Sequence, residues 1–194
     1  MSGPSRRRLR AAAGSLAGTA LLAACGGTDT SERYETGYVS GDGVTTEIEP
    51  ADRGEPLEFS GTTYAGEDFA AADARGEVLI VNVWYASCPP CRKEAPELQA
   101  IHEDYADRGV SFIGVNVRDE AGPAQAFEEQ YGITYPSMPD LDAAIMYDLR
   151  GEVAPNAVPS TLVLDPEGRV AGRISGAADP SVLRAMIDAV LEEQ

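Results

Sequence analysis

Histidine and tryptophan each occur once in this 194-residue chain, and cysteine three times. A structural zinc site takes about four protein ligands. Cys88, Cys91 and the single His102 fall short of that, which argues against a metal-built fold and against a metal cofactor. No apolar run approaches the roughly 20 residues of a membrane-spanning helix, and there is no internal repeat. Positive charge is scarce too. From Cys25 onward 11 basic residues face 32 acidic ones, a net of −21. Such a surface repels phosphate backbones and anionic lipid heads, so nucleic acid is not an expected partner, and a neutral or basic protein is. What the chain does hold is 43% hydrophobic residues, ample for one domain with something smaller attached.

The smaller part comes first. Four of the 15 basic residues, Arg6, Arg7, Arg8 and Arg10, precede the small, apolar, uncharged stretch Ala11 to Ala24, which Gly14 and Gly18 interrupt. A basic region followed by a short apolar one is an export signal, expected over residues 1–24. Leu22-Ala23-Ala24-Cys25 resembles the bacterial lipobox. That resemblance implies cleavage before Cys25, lipidation of its thiol and a lipid anchor to the extracytoplasmic face of the membrane. Ser5-Arg6-Arg7-Arg8-Leu9 also resembles a twin-arginine signal, which leaves the export route open.

Residues 25–56 are rich in Gly, Thr, Ser, Asp and Glu and lack a sustained apolar period, so they read as a flexible tether with a reach of about 30 Å. Val44 to Ile48 is too short a pattern to argue a strand. From Leu57 to the end the chain reads as one domain. Leu57 to Tyr64 is an edge strand or hairpin. Val78 to Trp84 is a buried strand, Pro89 to about Asp107 a helix kinked at Pro96, and Val110 to Val117 a second strand parallel to the first. Helices follow at Pro123–Tyr131 and Asp142–Leu149. Ser160–Leu164 and Arg169–Ser175 flank the turn Asp165-Pro166-Glu167-Gly168 as an antiparallel hairpin, and Pro180–Glu193 is a closing amphipathic helix. The expected class is α/β, a central mixed β-sheet flanked by helices, with an N-terminal β-hairpin extension.

Where the first buried strand hands over to a helix stands Cys88-Pro89-Pro90-Cys91. Two cysteines at that spacing can close into a disulfide and reopen, which is redox chemistry. Together with Asn82-Val83-Trp84 ahead of it and Val158-Pro159-Ser160-Thr161 ahead of the hairpin, this stretch resembles the thioredoxin superfamily. The similarity is to its membrane-anchored TlpA/ResA-type thiol-disulfide oxidoreductases and covers about Leu57 to Leu191.

Position and resemblance assign roles. Cys88, in the first turn of the helix, is the nucleophile, its thiolate favoured by unpaired N–H groups and the helix dipole. Cys91, one turn on and shielded, resolves the mixed disulfide. Pro89 and Pro90 suit the first helical positions but supply no N–H, so a moderately acidic thiol is expected. The resemblance implies that Glu94 tunes proton transfers at the dithiol; the alternative reading is a solvated helix residue. It also implies that Pro159 is a cis-proline, with Val158 offering its N–H and C=O to a substrate strand. Trp84 resembles the family's aromatic near the site and reads equally as a core tryptophan.

Three departures qualify the match. Ser87 stands where Trp commonly precedes the first cysteine, Asn82 where cytoplasmic thioredoxins carry a buried Asp, and Arg150–Val158 is a long approach to Pro159, either a substrate-facing flap or a neutral insertion. Competing readings are a Cys-based metal-binding module, a thiol peroxidase on the same scaffold, and a scaffold lipoprotein. The peroxidatic pattern Pro-x-x-x-Thr/Ser-x-x-Cys is absent before Cys88. The expectation is therefore an extracytoplasmic protein-disulfide reductase with no cofactor beyond its redox-active cysteines. It would act on a disulfide-containing exported protein such as apocytochrome c and be re-reduced by a membrane electron donor; a disulfide-forming oxidase is the alternative.

Overall fold

All seven residues of Val78–Trp84, strand β5, are buried, because both faces of the strand are covered. The structure, a computed structural model, describes residues 39–40 and 43–194. The expected signal peptide, the Cys25 lipidation site and the first part of the tether lie outside the described residues. In β5, Val78 and Ile80 share one core with Leu98 and Ile101 of helix α1 (Pro89–Tyr105) and with Leu183 and Ile187 of a C-terminal helix, Pro180–Glu192. Leu79, Val81 and Val83 point the other way, into a core with Ile113, Met138, Leu149 and Leu162. Alternation between two apolar cores is why the strand reads as a continuous hydrophobic run.

The remaining elements, in chain order, are β1 (Val39–Ser40), β2 (Gly43–Glu47), β3 (Ser60–Thr62), β4 (Asp68–Ala70), a single 3₁₀ turn at Ala71–Ala74, β6 (Val110–Asn116), α2 (Ala121–Tyr131), β7 (Ser137–Pro139), α3 (Ala144–Asp148), β8 (Ser160–Leu164) and β9 (Val170–Gly176), before α4 at Pro180–Glu192. The seven-stranded sheet has the order β1-β2-β9-β8-β5-β6-β7, and β3 with β4 forms the separate hairpin. Strands β5, β6 and β7 are parallel, and β8 pairs antiparallel with both β5 and β9. This is the expected mixed sheet between helical layers with a small extra hairpin.

The tether ends earlier than Pro56. Strand β2 pairs antiparallel with β9 from Gly43 opposite Gly176 to Glu47 opposite Gly172. Beyond it Arg53 donates to Ile48 O at 3.0 Å and meets Asp165 at 3.1 Å and Glu193 at 2.7 Å. The Leu57 N–H then donates to Gly168 O at 2.8 Å. Residues 43–56 are thus a strap on the domain, held by backbone bonds to the open edge of β9 and by a buried guanidinium. Neither leaves an apolar period in the sequence. Strand β7 was likewise not expected; three residues ending in a proline suffice at a sheet edge. Helix α1 runs through Pro96 to Tyr105, and α2 begins two residues before Pro123, where first-turn N–H groups have no helical acceptor in any case.

Candidate active site

Strand β5 ends at Trp84, and the loop Tyr85–Ser87 delivers Cys88 to the N-cap of α1. Its φ of −74° and ψ of 114° are extended, and its Sγ accepts from the Cys91 N–H at 3.2 Å. Pro89 and Pro90 fill the first two helical positions, where a fixed φ starts the helix and a missing N–H removes no helical bond. The helix brings Cys91 one turn further in, and the two cysteines form a disulfide with Cα atoms 5.3 Å apart. Cys91 is shielded as expected, at 2% exposure; Cys88, at 1%, is shielded as well. Trp84, Ala95, Ala124 and Phe127 pack around the pair, with half-buried Tyr64, Tyr85, Ala86 and Val158 against them.

Trp84 is both core residue and neighbour of the dithiol. Its ring lies 4.4 Å from that of Phe127 on α2, centroid to centroid, inside the cluster that holds both cysteines. His102 packs edge-on to Phe112 and Tyr135, with centroids 5.3 and 5.6 Å away. Ser87 is exposed.

Glu94, three residues beyond Cys91, turns inward and is only 3% exposed, which removes the solvated reading. Its Oε1 accepts from Asn82 Nδ2 at 3.0 Å and its Oε2 from the Ala178 N–H at 2.8 Å. Asn82 Nδ2 also reaches Thr161 Oγ1 at 3.2 Å. Burial pushes the Glu94 carboxyl up to about 7, against the pull of the two donors. An asparagine where a second acid would stand therefore serves as donor to this one. Burial also raises the phenol of Tyr135, and the charge of Glu94 adds to the rise. Tyr135, Asn82, Trp84, Ser137 and Cys91 line a cavity of about 10 Å³, near the lower limit for a single water.

The Val158–Pro159 bond is cis, as the resemblance implies. Ser160 begins β8 opposite Val83, so Pro159 lies at the end of β5 from which the cysteine loop departs. The Pro159 carbonyl accepts from the Gly176 N–H at 2.9 Å. The Val158 N–H already donates to Asn156 O at 3.2 Å. Of the two backbone groups expected to meet a partner strand, the carbonyl is thus the one without an internal partner among the described residues. The approach segment 150–158 lines an open groove of about 780 Å³ whose wall includes Val158, Tyr85 and Arg118. Phe127, Tyr135, the Ala178 N–H and this groove were not read from the sequence, because each reaches the site from a distant element.

The model of the AhpC/TSA family matches residues 54–173 of the chain. The chain belongs to the AhpC/TSA family. Its match begins inside the strap and ends in β9. This AhpC/TSA chain is 36% identical over 143 residues to the thiol:disulfide interchange protein HelX of Rhodobacter capsulatus, covering 73% of the chain and 74% of HelX. It is 27% identical over 120 residues to the thiol-disulfide oxidoreductase ResA of Bacillus subtilis, covering 61% of the chain and 64% of ResA. The crystal structure of a secreted thiol-disulfide isomerase from Corynebacterium glutamicum is similar in fold, with a TM-score of 0.69 at 29% identity, over 80% of this chain and 96% of that one. The helix-cap disulfide, the buried Glu94 carboxyl and the Val158–Pro159 edge thus lie around one end of β5.

Proposed function

We propose that the protein is an extracytoplasmic thiol-disulfide oxidoreductase working as a protein-disulfide reductase. The Cys88–Cys91 disulfide at the N-cap of α1, one helical turn from the buried Glu94, carries the reading. In the reduced protein the Cys88 thiolate attacks a substrate disulfide and forms a mixed disulfide, releasing one substrate sulfur as thiolate. Glu94 takes the proton of Cys91, and the Cys91 thiolate attacks Cys88 Sγ. The second substrate sulfur leaves, and the Cys88–Cys91 disulfide reforms. Two electrons have passed to the substrate, and a membrane electron donor must return them. The Val158 carbonyl edge beside Pro159 aligns the substrate strand, and Trp84, Pro89 and Pro90 wall the approach.

The reducing direction rests on Pro89 and Pro90, which withhold two N–H groups from the Cys88 thiolate, and on the likeness to TlpA/ResA-type proteins; apocytochrome c is the substrate class this suggests. The Cys88 thiol of the reduced protein should then be moderately and not extremely acidic, which thiolate absorbance followed against pH checks. Export and lipid anchoring at Cys25 are supported by the basic-then-apolar residues 1–24 and by the lipobox resemblance of Leu22–Cys25, and the similar Corynebacterium glutamicum protein is a secreted one. Labelled palmitate should enter the native chain and not Cys25→Ala; equal labelling of both would remove the anchor.

Insulin reduction tests the activity. With dithiothreitol as electron source the native protein should speed precipitation of the insulin B chain, and Cys88→Ser should leave the uncatalysed rate. Equal rates would overturn the proposal.

A further inference from the structure

Among the described residues three large hydrophobic side chains are strongly exposed, and two of them, Leu141 at 51% and Tyr147 at 65%, stand on the wall of the 780 Å³ groove beside the disulfide. The same wall holds two stacked cation–aromatic pairs. The guanidinium of Arg118 lies 3.8 Å from the ring centre of Tyr85, and that of Arg150 lies 4.1 Å from that of Tyr147.

These arginines are unusual in this chain. Of the nine in the described residues, Arg53, Arg75, Arg108, Arg169, Arg173 and Arg184 are ion-paired to carboxylates. Arg92 bonds the Tyr131 hydroxyl. Arg118 and Arg150 make no ion pair there, in a sequence with 32 acidic residues to choose from. The one carboxylate on the groove wall, Asp140, is occupied, its two oxygens accepting the N–H groups of Ile145 and Met146 at 2.9 Å each. Each guanidinium sits over a tyrosine ring, and Arg150 spends one N–H on Tyr147 O at 2.7 Å. The other N–H edges remain for a carboxylate. Arginine, tyrosine and methionine over an apolar floor are also the composition of protein-recognition surfaces.

The groove is continuous with the reaction centre. Val158 is part of its wall, precedes the cis-proline and packs on the cluster around Cys88 and Cys91. A chain aligned on the Val158 edge therefore runs into the groove within a few residues of its own cysteine.

We infer that this groove selects substrates whose segment beside the reacting cysteine carries an acidic side chain next to an apolar or aromatic one. The inference rests on the reductase reading and adds the substrate class. It is compatible with the −21 net charge: the long-range field favours a neutral or basic protein, whereas the groove reads one local carboxylate within it.

Disulfide-linked peptides that differ at one position test it. The reduced full-length protein is given a peptide with Tyr-Glu beside the reacting cysteine, the same peptide with Tyr-Gln, and hydroxyethyl disulfide as a small uncharged substrate. The native protein should turn over the Glu peptide with kcat/KM about fivefold above the Gln peptide at low salt, falling towards parity at high salt. In Arg118→Gln/Arg150→Gln the ratio should fall to one. A ratio taken within one protein does not depend on how much of it is folded. A native ratio of one or less, or a preference that survives in the double variant, overturns the groove inference while the reductase reading stands. Failure of the native protein to reduce hydroxyethyl disulfide overturns the reading beneath it.

Discussion

Asn82 Nδ2 donates to Glu94 Oε1 over 3.0 Å, tying the middle of the central strand to the helix that carries the dithiol. With the Ala178 N–H on the second oxygen, the carboxyl is fixed one turn from Cys91 in a nearly waterless setting. Its position is set by three elements: β5, the helix α1 that follows it, and the approach to α4, 84 residues further on.

A pH dependence of stability follows. Burial raises the Glu94 carboxyl from 4.5 to about 7, so the native state holds a proton that the unfolded chain has lost. The contribution to stability is fully present below about pH 4.5 and is lost as pH rises through about 7; the shift corresponds to about 3 kcal/mol. Denaturant unfolding of the disulfide-bonded protein should show this decline, and Glu94→Gln should flatten it. The same variant should slow resolution of a trapped mixed disulfide by about 10²-fold at pH 7. Superimposable pH profiles for the two proteins would take Glu94 out of both roles.

The strap gives a second expectation. Arg53 is nearly buried between Asp165 and Glu193, and Asp165 keeps Arg169 at 2.8 Å if Arg53 is removed. Because that partner remains, Arg53→Ala should cost about 2 kcal/mol, less than breaking an isolated buried pair. A chain beginning at Leu57, which also loses the β2–β9 pairing, should melt lower still. Equal melting temperatures for chains beginning at Gly43 and Leu57 would mean that residues 43–56 are a tether after all.

Gly114 lies in β6 against the tryptophan. A methyl group there would press on Ser137 Oγ and come within 2.8 Å of Trp84 Nε1. Gly114→Ala should destabilise the protein by about 1–3 kcal/mol, as overpacking does. It should also shift the emission of Trp84, the sole tryptophan. An unchanged spectrum would show that the contact relaxes elsewhere.

Much of the architecture is legible from local pattern. The run Val78–Trp84, the turn Asp165–Gly168 between two apolar stretches and the amphipathic Pro180–Glu192 each carry a period or a turn signal, and each appears where expected. Cys88, Cys91 and Pro159 are legible because few residue types can do their work. The parts that escape are long-range. Strand β2 exists because β9 has an open edge, Glu94 is held by an N–H 84 residues away, and Phe127 meets Trp84 across two elements. Arg118 reads as an ordinary surface residue in the sequence; only the fold sets it on Tyr85, 33 residues earlier, beside the dithiol, and on the same groove wall as the local Tyr147–Arg150 pair.

Whether Cys88 and Cys91 pass electrons outward to a substrate is tested most directly by their reduction potential. A strongly oxidising couple needs its thiolate heavily stabilised, and here two prolines occupy the first two helical positions, leaving the Cys91 N–H as the first-turn donor to Cys88 Sγ. Equilibration of the protein with glutathione or dithiothreitol buffers should give a potential near about −270 mV, the value of a reductant. A potential near about −120 mV would mark an oxidant and contradict the account.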